Sequence, residues 1–102
     1  MQTQPQRAVR FNLGRVLCTP GALEALDRNA VSPIPYLARH LGGDWGELCE
    51  EDLLANEEAL KNGARLLSAY HLPDETKIWI LTEAVNERGK REVTTVLLPQ
   101  EY

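Results

Sequence analysis

A chain of 102 residues has room for one domain, because two halves could not each bury a core. Hydrophobic residues are 43% and charged residues 25%, which excludes a low-complexity chain or a disulfide scaffold and fits an ordinary globular domain. The formal net charge of −4 speaks against a broad basic surface for nucleic acid, and 11 Lys and Arg against 15 Asp and Glu fall short of the acidity of a DNA mimic. No apolar run approaches the roughly 20 residues of a membrane helix. The polar start lacks the apolar middle of a signal peptide, so the expectation is a cytoplasmic protein.

Residues 1–10 carry no periodicity and read as a disordered tail, leaving one domain over residues 11–102. Phe11 to Cys18 alternates like a strand. Thr19-Pro20 reads as a cap followed by the first residue of a helix, with Ala22, Leu23, Ala25 and Leu26 as its apolar side and Asn29 as its stop. Ser32-Pro33 repeats the signal, and Ile34, Leu37, Ala38 and Leu41 share one face of a second helix that ends at Gly42-Gly43. A third helix spans Glu50 to Asn62 and stops at Gly63. Its stripe of Cys49, Leu53, Asn56, Leu60 and Ala64 is interrupted by one amide, which needs a backbone partner if buried.

The remainder reads as a three-stranded meander: Leu66 to Leu72, Lys77 to Ala84 and Val93 to Leu98. Pro73 to Thr76 supplies the first turn, and Val85 to Glu92 a longer charged loop. The order β-α-α-α-β-β-β implies an α+β domain, with three short helices on one face of an antiparallel sheet.

If Pro73 to Thr76 is a four-residue loop, Tyr70 faces Trp79 and Ser68 faces Leu81. Tyr70, Trp79, Leu81, Val96 and Leu98 would then share an outer face too apolar for an isolated monomer, so they are the candidate interaction face, for a homodimer or a protein partner. Residues 44–58 hold seven acids and no base. Glu50, Glu51, Glu57 and Glu58 are therefore a second candidate surface, for a basic partner, although early acids also simply suit a helix dipole.

The chemistry-bearing residues form no recognised constellation. Cys18, Cys49, His40 and His71 come from different segments without metal-ligand spacing, so no metal is expected, and the cysteines are expected to stay reduced. No cofactor is expected, since Gly42-Gly43-Asp44-Trp45-Gly46 has no following Lys-Ser/Thr and is followed by acids that would repel a phosphate. His40 and Asp44 could form a base with its orienting carboxylate, but such a histidine is more often a capping residue beside a turn. No catalytic residue is assigned.

The runs Arg39 to Gly46, Leu67 to Leu72, Lys77 to Ala84 and Thr94 to Tyr102, with Asn56 between, resemble a small family of uncharacterised proteins from proteobacterial plasmids and integrated elements. Some members carry the label restriction modification subunit. That label does not fit here, because about 100 residues cannot hold a methyltransferase domain. Family members pass from Thr-Glu-Ala almost directly into the last strand, whereas this chain inserts residues 85–92. The resemblance implies a plasmid-related, mobile-element protein and carries no activity with it.

Three functions compete. The first is a non-enzymatic protein-interaction or regulatory module. The second is a nucleic-acid-binding accessory using Arg7, Arg10, Arg15 and Arg39. The third, by analogy of layout alone, is a RelE-like ribonuclease toxin using Arg88, Lys90 and Arg91.

Overall fold

The computed structural model describes residues 9–102, so most of the expected tail lies outside the described residues. Arg10, placed in that tail by its sequence, is docked: its N–H donates to the Leu41 carbonyl at 3.0 Å. The elements are β1 (Arg15–Cys18), α1 (Pro20–Arg28), α2 (Ile34–Leu41), α3 (Glu50–Asn62), β2 (Leu66–His71), β3 (Lys77–Thr82) and β4 (Val93–Leu97), then a 3-10 turn at Pro99–Glu101. This is the α+β order that the sequence predicts. No helix is long and apolar enough to cross a membrane among the described residues.

The helix boundaries follow from local chemistry. Thr19 Oγ1 accepts the Ala22 N–H at 3.2 Å, and Pro20 opens α1 where its missing N–H costs nothing. Ser32 Oγ accepts the Ile34 N–H at the start of α2. Gly63, at φ +82°, closes α3 in the left-handed conformation that a side chain would resist. β1 is shorter than its alternating pattern. The chain turns at Gly14, whose backbone passes so close to Glu92 that a Cβ would lie 2.4 Å from its carbonyl.

The strands form one sheet in the order β1-β4-β3-β2. β2–β3 and β3–β4 are antiparallel, but β1 lies parallel to β4, so the sheet is mixed rather than wholly antiparallel. The long crossover through three helices returns the chain in the same direction, which a short hairpin cannot do.

The register of the first hairpin differs by one residue from the sequence expectation. The observed pairs are Tyr70 with Ile78, Ala69 with Trp79, Ser68 with Ile80 and Leu67 with Leu81. The cause is the turn. Leu72 C=O accepts the Glu75 N–H, Leu72 N–H donates to Thr76 C=O, and Glu75 sits at φ +73°. That is a three-residue loop with a left-handed bulge, not a four-residue loop. One residue of slip exchanges the faces.

Tyr70, Ile78, Ile80 and Val96 therefore lie beneath α1 and α2, packed with Ala22, Ala25, Leu26 and Leu37. A second cluster joins Trp45, Ala59 and Leu66, with Phe11, Leu48, Leu53 and Leu60 around it. α3 runs along the β2 edge. Asn56 donates to the Leu67 carbonyl at 2.7 Å and accepts its N–H at 3.1 Å, so the amide in the stripe has found its backbone partner.

Candidate functional site

The inner face carries a line of polar groups within the core. His40, Ser68, Thr82 and Thr94 are each 0% exposed. His40 Nδ1 contacts Ser68 Oγ, and His40 Nε2 lies 2.9 Å from Thr82 Oγ1. Thr82 Oγ1 is 2.7 Å from Thr94 Oγ1, and the Thr94 hydroxyl donates to the Leu13 carbonyl at 2.7 Å.

Counting protons orders the chain. Thr94 spends its single hydrogen on Leu13, so Thr82 must donate to Thr94. Thr82 then accepts from His40 Nε2–H, which leaves Nδ1 to accept the Ser68 hydroxyl. The ring is neutral: burial, aided by repulsion from Arg91, lowers its pKa to about 3. Phe11 and Trp45 meet the imidazole edge-to-face at centroid distances of 5.1 and 5.6 Å.

Asp44 does not orient this histidine. Its carboxylate accepts Arg39 Nε at 2.7 Å, so the base-and-carboxylate pairing of His40 with Asp44 is not formed. His71 instead meets the Glu47 carboxylate through Nδ1 at 2.7 Å, which holds Glu47 below its usual carboxylate range. Cys18 ends β1, Cys49 precedes α3, and both are free thiols. Among the described residues, no group of three or more His, Cys, Asp and Glu is arranged to hold a metal ion.

The candidate interaction face divides. Tyr70 is 1% exposed and Val96 0%, both on the inner side, with Leu98 packed at the margin of the same core. The Tyr70 hydroxyl donates to the Asp44 carbonyl. Tyr70 and Val96 are both core: Tyr70 through the shifted β2–β3 register, and Val96 because β4 sets it beside Ile80 and not beside Trp79. Trp79 and Leu81 do point to the outer side, with Leu67, Ala69 and Leu97, but Leu81, Ala69 and Leu97 are themselves buried there, which leaves Trp79 and Leu67 as the partly open apolar residues.

Trp79 is half-buried, with the Tyr102 ring edge-on at 5.8 Å and Arg65 lying over that ring. Together with Leu67, Leu81 and Asp52 they line an open cleft of about 370 Å³. An apolar floor with one cation and one carboxylate at its rim suits the anchoring side chain of a protein partner.

The acidic surface divides as well. Glu50, Glu51 and Glu58 are exposed. Glu57 accepts Trp45 Nε1–H at 3.0 Å and pairs with Arg10 at 3.0 Å, and those bonds hold its carboxyl below the usual range. It serves as a clamp between α3 and the chain before β1.

Arg91, taken with Arg88 and Lys90 as one basic loop, is buried. Its guanidinium donates to the carbonyls of Ala64, Glu83 and Ala59 at 2.7, 2.9 and 3.1 Å. Sequence reasoning missed this role and the polar line on the inner face. The signal for the latter is parity: Ser68, Thr82 and Thr94 fall on one face once the hairpin register is right.

Compared with protein-family models, curated proteins and solved structures, the chain matches none of them.

Proposed function

We propose that this chain is a non-enzymatic protein-interaction or regulatory module of the cytoplasm, serving a mobile element as its resemblance to plasmid-related proteins suggests. One observation carries the reading: the contrast between the two sheet faces. The His40 imidazole and the hydroxyls of Ser68, Thr82 and Thr94 are wholly buried and pass their protons along one line that ends on the Leu13 carbonyl. A reacting group must reach its substrate. The outer face instead offers a half-buried indole beside the partly open Leu67 at an open cleft, the kind of anchor that stabilises an interface when desolvated.

The basic side chains support this reading over nucleic-acid binding. Arg10 and Arg39 are paired with Glu57 and Asp44, and Arg91 is spent on backbone carbonyls.

The test is affinity capture from the native host with tagged native chain and a Trp79→Lys variant of matched thermal stability. A defined protein retained by the native chain and lost with Trp79→Lys is expected. Identical capture by both, or none by either, would overturn the reading.

A further inference from the structure

The two edges of the sheet are treated differently. On β2 the outward groups are taken: Ala69 N–H donates to the Trp45 carbonyl at 3.1 Å, Ala69 C=O accepts the Glu47 N–H at 2.7 Å, and Asn56 binds both groups of Leu67. On β1 the N–H groups of Arg15 and Thr19 go to the carbonyls of Glu92 and Val96. In a parallel ladder the intervening residues point the other way, so Val16 and Cys18 direct N–H and C=O away from the sheet. Among the described residues no strand lies beyond β1. Val16 is 39% and Leu17 45% exposed; the strand is four residues long with one charge, Arg15, at its start, and it contains no proline or bulge at Val16 to Cys18.

We propose that β1 pairs antiparallel with β1 of a second copy of this chain, about a two-fold axis through Leu17, joining the two sheets into one. This rests on the interaction-module reading and deepens it. A two-fold normal to the sheet keeps each face continuous, so only residues of equal parity can oppose. An axis at Val16 would set Cys18 against Gly14, which has already left the strand at φ +66°. An axis at Leu17 sets Val16 against Cys18 twice, and each such pair exchanges both N–H···O bonds. Leu17 then meets its own copy side by side.

Charge selects a second copy over a foreign strand. Arg15 comes beside Thr19 of the other chain, whose hydroxyl holds the Glu101 carboxylate. A cation meets an anion, and no like charges oppose along the strand.

The experiment is a dilution series by sedimentation velocity, with oxidative cross-linking. Val16→Pro removes an outward N–H and no bond to β4, so a folded monomer of unchanged thermal midpoint is expected where the native chain is a micromolar dimer. In a Cys18→Ser/Cys49→Ser background, Leu17→Cys should cross-link to itself. Opposed residues of a non-hydrogen-bonded pair sit about 4.5 Å apart, within disulfide reach. Val16→Cys in that background should cross-link at least about tenfold more slowly, because its copy is offset along the strand.

A native chain that stays monomeric overturns the proposal, as does a dimer untouched by Val16→Pro, or equal cross-linking at both positions. A monomer that loses a foreign protein through Val16→Pro overturns self-pairing in favour of a heterologous strand. A complex lost with Trp79→Lys but kept with Val16→Pro removes the edge and leaves the interaction module standing. Insensitivity to both removes both.

Discussion

His40 Nε2 lies 2.9 Å from Thr82 Oγ1, a contact that joins α2 to the middle of the sheet and fixes the tautomer of a buried histidine. The bond cannot be reversed without leaving the Thr94 hydroxyl or the Ser68 hydroxyl with a mismatched partner. The helix is thereby held in one position over β2, β3 and β4. Apolar packing alone specifies such a position less sharply.

Thr82→Val keeps the shape and removes the hydroxyl. His40 Nε2–H and Thr94 Oγ1 then each lose a partner inside the core. The expected loss is about 1–3 kcal/mol of unfolding free energy, the cost of an unsatisfied buried group. Equilibrium denaturation measures it. A loss below about 0.5 kcal/mol, the scale of a neutral surface change, would show that the chain of hydroxyls contributes nothing to stability.

The same histidine makes stability depend on pH. In the unfolded chain the imidazole takes a proton near pH 6.5, whereas burial delays this in the folded chain to about 3. Between those values the unfolded state binds more protons. Stability is therefore full above pH 6.5 and falls as the solution is acidified through that window, by at most about 1.4 kcal/mol per pH unit. Denaturation midpoints from pH 7 to 4.5 should fall more steeply for the native chain than for His40→Phe. Parallel slopes would refute the assignment.

Much of the fold is legible in the sequence, and the reasons are local. Thr19-Pro20, Ser32-Pro33 and Gly63 announce helix ends through hydrogen bonds made within a few residues. Asn56 announces itself by interrupting an apolar stripe, and its partner lies just one turn of chain beyond the helix end.

What is hidden depends on distant partners or on one dihedral angle. Glu75 adopts a left-handed conformation that its residue type does not advertise, and that single residue moves Tyr70 to the core, away from Trp79, which stays on the outer side. Arg91 reads as part of a charged loop, yet its three carbonyl partners belong to segments brought together only by the completed sheet.

Asn56 lends itself to a charge test. Asn56→Asp has nearly the same shape but, when ionised, can only accept, so it faces the Leu67 carbonyl with another acceptor. At pH 7 the expected loss relative to the native chain is about 2–3 kcal/mol. Protonation restores a donor, so the difference between the two proteins should shrink as the pH is lowered toward 4. A constant difference would mean that Asn56 acts by packing and not through its amide.

The protected edge at β2 depends on Gly46, and two glycines of similar conformation separate the causes. Gly46 has φ +76°, and a Cβ there would lie 2.0 Å from the Ala69 carbonyl and 2.7 Å from the Tyr70 ring. Gly89 has φ +75°, with nothing within 4 Å of its added Cβ. Gly89→Ala carries only the dihedral strain and should cost about 1 kcal/mol. Gly46→Ala must also push residues 45–47 off β2 and should cost about 3 kcal/mol or more. Amide exchange at Ala69 should accelerate in the second variant and stay unchanged in the first. Equal destabilisation by the two substitutions would show that the close approach at Ala69 does not hold this edge.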